Sequence, residues 1–156
     1  MKFVILALVI VAVIFLIMRS ANNKKDAQEN IAIGEQFLLE NKGKESITQT
    51  ESGLQYEIIS KGDGEAHPSA NSVVKVHYHG TLLDGTVFDS SVDRGEPISF
   101  PLNRVIKGWT EGVQLMVVGD KFRFFIPSEL AYGNQGTGAI KPGSTLVFEV
   151  ELLAIE

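Results

Sequence analysis

The chain has 156 residues, a formal charge of −5 and no cysteine. Such a length suits one compact domain plus an accessory segment rather than two full domains. The missing thiol excludes a disulfide framework, a cysteine nucleophile, a cysteine-ligated zinc or iron–sulfur centre and a lipid anchor on sulfur, and an acidic chain lacks the basic stripe of a nucleic-acid binder. The 44% hydrophobic content averages two unlike parts. Residues 1–18 hold 17 hydrophobic side chains, whereas residues 19–156 hold 52 of 138, ordinary for a soluble domain. Charge divides similarly: residues 1–52 balance six basic against six acidic groups, while residues 53–156 carry eight basic and thirteen acidic.

Residues 3–18 carry no charge and no helix breaker, and Lys2 and Arg19 flank them. As a helix they span roughly 24 Å at about 1.5 Å per residue, short for a bilayer core of about 30 Å and long for a signal-peptide core. The junction Leu16-Ile17-Met18-Arg19-Ser20-Ala21 lacks a small-x-small pair directly after the apolar run. A cut after Ala21 would place Arg19 where a small side chain is needed. The reading is a signal-anchor over residues 1–20, with a cleaved signal as the main alternative and a buried soluble helix as a third.

Residues 21–52 read as a polar linker containing one short helix. Ala27, Ile31 and Leu38 share a helical face, with Ile33 and Phe37 beside it, and Asn41-Lys42-Gly43 ends the helix. A spacer lifting a domain off a membrane is the simpler reading, and a partner-binding or dimer helix is the other. Gly43-Lys44-Glu45-Ser46 is not a phosphate-binding loop, because Leu38 stands where the first glycine is required.

From residue 53 to residue 156 the dominant period becomes two. Leu54, Tyr56 and Ile58 alternate in this way, as do Val74, Val76 and Tyr78, then Phe122, Phe124 and Ile126, then Leu146, Phe148, Val150 and Leu152. These are half-buried antiparallel strands, separated by turn signals at Gly62-Asp63-Gly64, Asp84-Gly85, Arg94-Gly95 and Pro142-Gly143. Only Trp109, Val113 and Met116 recur at helical spacing, with Gly119 as a stop. The predicted fold is α+β: a curled antiparallel sheet with one short helix, preceded by an apolar N-terminal helix. Aromatic residues beside turns and breakers are placed to line a wedge between helix and sheet, while Phe122 and Phe124 belong to the core.

Five motifs follow one another: Val76-His77-Tyr78-His79-Gly80, Asp84-Gly85-Thr86-Val87-Phe88-Asp89-Ser90-Ser91, Val105-Ile106-Lys107-Gly108-Trp109, Ala131-Tyr132-Gly133 and Thr145-Leu146-Val147-Phe148. Together they resemble the FKBP class of peptidyl-prolyl cis–trans isomerases across the whole globular part. Gly34-Glu35-Gln36-Phe37-Leu38 and Ser52-Gly53-Leu54-Gln55-Tyr56 are further similar to the bacterial macrophage-infectivity-potentiator branch, here with a shortened N-terminal helix. The resemblance implies rotation about X–Pro amides of polypeptide substrates, in aid of protein folding, with no cofactor and no metal. It assigns Trp109 as the pocket floor, Tyr78, Phe88, Ile98, Val105, Ile106, Ile140 and Phe148 as walls and rim, and the Ile106 N–H and Tyr132 hydroxyl as donors to substrate carbonyls. Asp89 falls at the pocket edge, and Arg94 is its partner. A turn-capping role is the alternative for Asp89, and core roles are the alternatives for Trp109 and Tyr132.

Ile98 stands where the common eukaryotic pattern has an aromatic, and the loop 133–140 lacks the usual histidine and carries Ala139. Macrolide-type inhibitors are therefore expected to bind with altered affinity. His77 and His79 share a strand face opposite Tyr78 and read as solvent-facing rather than as metal ligands, and the glycines of the 133–138 loop precede a strand, not the helix a phosphate cradle needs. The rival to an enzyme is a non-catalytic proline-peptide-binding module or chaperone using the same pocket. The apolar run is read as a single-pass anchor in a bacterial inner membrane, through residues 3–18, with the domain periplasmic in preference to cytoplasmic. Oligomeric state stays open.

Overall fold

The computed structural model describes residues 2–156, with side-chain surroundings from Ile5 onward. Helix α1 (Lys2–Lys42) runs unbroken for 41 residues, about 60 Å at about 1.5 Å per residue. It is one long helix, where a separate anchor and a short linker helix were expected. The reason lies in residues 19–26, which are polar but contain neither Pro nor Gly, so polarity changes what the helix faces without ending it. At Gly43 the helix closes, with the Gly43 N–H donating to the Glu40 carbonyl at 3.2 Å and the Lys44 N–H to that of Asn41 at 3.0 Å.

The second half of α1 docks on the domain. Ala27, Gly34 and Asn41 are buried along one stripe, with Asn30, Ile31, Phe37 and Leu38 half-buried beside them. Their seven-residue recurrence is that of a packed helix face. Ile33 stays 54% exposed, because it lies one residue step, about 100°, from Gly34 at the centre of the stripe. Phe37 meets Phe125 with ring centroids 5.8 Å apart, and Asn41 Nδ2 donates to Gln55 Oε1 at 2.9 Å. Gln55 Nε2 donates in turn to the Leu38 carbonyl at 2.8 Å. The connector is thus part of the domain's packing.

The strands are β1 (Thr48–Gln49), β2 (Gln55–Ser60), β3 (Val73–Leu82), β4 (Val87–Ser90), β5 (Ile98–Pro101), β6 (Lys121–Ile126) and β7 (Leu146–Ile155). They form one antiparallel sheet in the order β1-β2-β6-β7-β3-β4, and β5 pairs with β3 on the same side as β4. A four-residue helix α2 (Ser91–Arg94) follows β4, and helix α3 (Lys107–Val113) lies between β5 and β6. The period-two pattern places Val74, Val76 and Tyr78 of β3 and Leu146, Phe148, Val150 and Leu152 of β7 on the buried face. On the opposite face Arg123 of β6 bridges Glu57 of β2 at 3.0 Å and Glu149 of β7 at 2.5 Å.

Helix α3 is shorter than the Trp109–Val113–Met116 spacing predicts. It ends at Val113, and Met116 reaches the core from a turn in which its N–H donates to the Val113 carbonyl at 3.1 Å. Gly119 (φ 94°) belongs to the turn into β6 rather than to the helix end. Two glycines let α3 lie flat on the sheet: a Cβ at Gly108 would meet Ile126 at 2.6 Å, and one at Gly112 would meet the Phe124 ring at 2.6 Å. This gives a test of opposing terms. Helix propensity alone favours Gly112→Ala by about 1 kcal/mol, but overpacking a rigid ring costs about 1–3 kcal/mol. Urea unfolding of the detergent-solubilised chain is expected to show Gly112→Ala net destabilised.

Candidate active site

Helix α3 crosses the curled sheet and leaves a cavity of about 730 Å³ at one side. Ten of the eleven residues singled out in the sequence line it: Tyr78, Phe88, Asp89, Ile98, Val105, Ile106, Trp109, Tyr132, Ile140 and Phe148. Arg94 does not line it but contacts Asp89 and Tyr78. Phe100, Arg104, Thr137, Gly138 and Ala139 complete the lining. Phe100 was legible, since it shares a strand face with Ile98 two residues away. Arg104 lies on the 3-10 turn Leu102–Arg104 and has no pattern to reveal it.

The floor is a cluster of rings. Trp109 is 5% exposed and packs edge-to-face on Phe148 (5.1 Å, 82°) and Tyr78 (5.3 Å, 79°), with Phe100 tilted against it at 5.4 Å. Phe88 meets Phe148 edge-on at 5.2 Å. Only glycine fits at position 80, because a Cβ there would come within 2.7 Å of both the Phe88 and the Phe148 rings. The Trp109 indole N–H is buried without a hydrogen-bond partner among the described residues, an arrangement that costs about 1–3 kcal/mol in a finished core.

Polar groups sit at the edge. The Tyr78 hydroxyl donates to Asp89 Oδ2, Arg94 Nη1 donates to Asp89 Oδ1, and Arg94 Nη2 donates to the Tyr78 hydroxyl at 3.0 Å. Local structure sets this triad up. Ser90, not Asp89, caps α2 by accepting from the Asp93 N–H at 3.1 Å, and Gly95 closes α2 in the left-handed region (φ 73°). The turn brings Arg94 back over Asp89, whose carboxylate is left to face Tyr78 and Arg94. The same turn covers the outer face of β3, so His77 and His79 are half-buried, bonding to Ser91 Oγ at 2.9 Å and Ser90 Oγ at 2.8 Å. They brace α2 rather than face solvent.

Burial pushes the Asp89 carboxyl up, but the hydrogen bonds from Tyr78 and Arg94 outweigh it and hold the group below its ordinary value of 3.8. Burial, reinforced by the Asp89 bond, raises the Tyr78 phenol above 10.0, and the bonds to Tyr78 and Asp89 raise Arg94. Ile106 precedes α3 with its carbonyl accepting from the Trp109 and Thr110 N–H groups, while its own N–H has no partner among the described residues. Tyr132 is 42% exposed at the rim, and its hydroxyl is likewise unbonded among the described residues.

Residues 133–143 form the rim loop. Thr137 and Ile140 exchange backbone bonds of 2.9 and 2.8 Å, and the Gly143 N–H donates to the Gly133 carbonyl at 2.8 Å. The base of the loop is held by α1: Asn30 Nδ2 donates to the Pro142 carbonyl at 2.8 Å. Gly143 (φ 74°) lies so close to the Ala27 backbone that no side chain fits between them.

Two family models match this chain. One, described as FKBP-type peptidyl-prolyl cis-trans isomerase, covers residues 64–153; the other, described as the domain amino terminal to FKBP-type peptidyl-prolyl isomerase, covers residues 10–58. The chain belongs to the FKBP-type peptidyl-prolyl cis–trans isomerase family. Among curated relatives it is 62% identical over 136 residues to the FKBP-type peptidyl-prolyl cis-trans isomerase FkpA of Aeromonas hydrophila, covering 87% of this chain and 50% of that one. It is 47% identical over 139 residues to the outer membrane protein MIP of Legionella longbeachae, covering 88% and 59%. The crystal structure of FkpA from Escherichia coli superposes with a TM-score of 0.84 at 44% identity, over 88% of this chain and 64% of that one. The chain thus spans about half to two thirds of the length of these relatives. The N-terminal region matched by the second model is not a short helix here, since it includes most of the 41-residue α1.

The triad has a predictable pH signature. The Asp89 pKa is lowered on folding, so its stabilisation is complete above its unfolded value of about 3.8 and is lost as pH falls through the lower folded value. Tyr78 is raised, so its contribution is complete below 10.0 and is lost only at higher pH. The Tm gap between wild type and Asp89→Asn is expected to be widest near pH 6 and to close toward pH 3.

Proposed function

We propose that this chain catalyses cis–trans rotation about X–Pro bonds in polypeptides and so assists their folding, with residues 53–156 as the isomerase domain. The observation that carries this reading is an aromatic-lined cavity floored by Trp109, with two donors at its edge that have no partner among the described residues. Uncatalysed X–Pro isomerisation takes tens to hundreds of seconds. Reaching about a millisecond requires about 10⁵-fold acceleration, roughly 7 kcal/mol. No covalent bond breaks, so no nucleophile is needed. As the amide twists it loses resonance and its carbonyl becomes less polar, so an apolar enclosure favours the twisted form over the planar one. That preference is differential binding of the transition state.

In this reading the proline ring rests on Trp109 between Tyr78, Phe88, Val105 and Phe148. The Ile106 N–H and Tyr132 hydroxyl hold flanking carbonyls in the orientation the twist requires. Asp89, held by Tyr78 and Arg94, presents fixed negative charge at the pocket edge beside the rotating amide. Arg94 positions Asp89 and does not touch substrate. Ile98 and the Ala139-bearing rim loop shape the outer pocket, where they alter macrolide affinity and the preference for the residue before proline.

Membrane attachment is the second part of the proposal. The large apolar side chains from Ile5 to Met18 are all about half exposed or more. By length and composition α1 is the helix able to cross a membrane among the described residues. The junction Leu16-Ile17-Met18-Arg19-Ser20-Ala21, which lacks a small-x-small pair directly after the apolar run, supports an uncleaved anchor. A single-pass anchor in a bacterial inner membrane, with the domain periplasmic, fits this arrangement.

A protease-free isomerisation assay on the detergent-solubilised chain tests the enzyme. Tyr132→Phe is expected to lower kcat/KM about tenfold, the worth of one hydrogen bond of about 1.4 kcal/mol, and Asp89→Ala at least as much. Wild-type rates in both variants would overturn these two assignments. An inactive wild type that still binds proline peptides would replace the enzyme with a binding module.

A further inference from the structure

The rim loop of the pocket and the apolar half of α1 share one groove. A cleft of about 520 Å³ is lined on one side by Leu16, Arg19, Asn23 and Ala27 of α1 and on the other by Asn134 and Gln135. The loop tip therefore faces the stretch of α1 that runs from the last turn of the apolar run, at Leu16, to Ile31. The other side of the same loop, at Thr137, Gly138, Ala139 and Ile140, lines the isomerase cavity. Residues 133–140 carry no charge, and the cations Arg19, Lys24, Lys25 and Lys141 lie on the helix and at the loop base.

Nothing in the chain absorbs motion between these parts. From Arg19, at the end of the apolar run, to Ala27, where docking begins, there are eight helical residues, about 12 Å at about 1.5 Å each. The helix has no break there, and beyond it the Asn30–Pro142 bond and the Ala27–Gly143 contact tie α1 to the loop base. A helix this short between anchor and domain is a rigid mount, unlike a flexible tether.

We propose that the tip of the rim loop rests in the phospholipid headgroup layer, so that the pocket mouth is held at the membrane surface. The inference rests on residues 3–18 spanning the bilayer. The uncharged, amide-rich Gly133-Asn134-Gln135-Gly136 tip enters a hydrated headgroup region without burying a charge, and the nearby Lys and Arg side chains favour anionic lipid. The substrates this arrangement favours are X–Pro bonds in membrane-proximal stretches of polypeptides, because a pocket fixed at the surface meets such segments at high effective concentration.

The absence of native cysteine makes single-site labelling unambiguous. The full chain is reconstituted in phosphatidylethanolamine/phosphatidylglycerol vesicles with a nitroxide at Val11→Cys, Gln135→Cys or Asn71→Cys. Asn71 serves as the distant reference, beyond the end of the 10-residue strand β3 remote from the loop. Val11 is expected to respond to oxygen dissolved in the hydrocarbon. Gln135 is expected to be relaxed by a nickel-chelating headgroup lipid several-fold more than Asn71. A Gly-Ser-Gly-Ser-Gly insertion after Asn23 should reduce the Gln135 response toward that of Asn71. It should also slow turnover of a lipid-anchored X–Pro peptide while leaving a soluble peptide unaffected. If Val11 lies in hydrocarbon and Gln135 responds no more than Asn71, the surface placement is overturned and the anchor stands. If Val11 lies in water, the anchor reading fails and this inference with it.

Discussion

The site depends on how closely helix α3 approaches the sheet. Gly108 and Gly112 remove the side chains that would hold the helix off Ile126 and Phe124, and the descent presses Trp109 edge-on against Tyr78 and Phe148. Aromatic rings bury about 150–250 Å² each and prefer edge-to-face contact, so this cluster is a large share of the domain's apolar burial. It is also the inner surface of the cavity. One set of contacts therefore stabilises the fold and shapes the cavity. That economy suits the proposed reaction, in which the environment of the amide, not a reactive side chain, lowers the barrier.

Charge is kept out of the floor and concentrated on one edge. Tyr78 belongs to both regions: its ring packs on Trp109, and its hydroxyl joins Asp89 and Arg94. The serine cap of α2 matters because it relieves Asp89 of a capping role and returns Arg94 to the carboxylate. Each member of the triad has its main charge or donor satisfied by the others, so a half-exposed carboxylate can stand beside an apolar pocket. The Ile106 N–H and the Tyr132 hydroxyl, by contrast, have no partner among the described residues, as the proposed role of holding substrate carbonyls requires.

Helix α1 connects these local arrangements to the rest of the chain. Its docked half contributes Asn30 to the base of the rim loop and Phe37 to the back of the sheet. Its other half presents an apolar surface that is about half exposed or more. Gly143 lies against the Ala27 backbone and Gly34 against the Thr145 side chain, each too close for a Cβ, the same device that seats α3 on the sheet.

Much of this was legible in the residues. Strict alternation in β3, β6 and β7 marks strands because a pleated sheet puts every second side chain on one face. The ordered motifs around Tyr78, Asp89, Ile106, Trp109 and Tyr132 were enough to assemble nearly all of the cavity lining. Helix lengths were not legible. The expected division between the 1–20 segment and a separate short helix in the linker is absent, because polarity changes a helix's surroundings and not its backbone, and α3 stops at Val113 although Met116 keeps the helical spacing.

The sequence by itself determined the class of fold, the aromatic supply and the apolar N-terminal run, since all three follow from local periodicity and composition. Only the tertiary structure decided that Arg94, the expected partner of Asp89, stays out of the cavity lining, that His77 and His79 brace α2, and that α1 holds the rim loop beside its own apolar half. Each of those joins residues far apart in the chain or turned by a cap, and no local pattern encodes which distant backbone a side chain will meet.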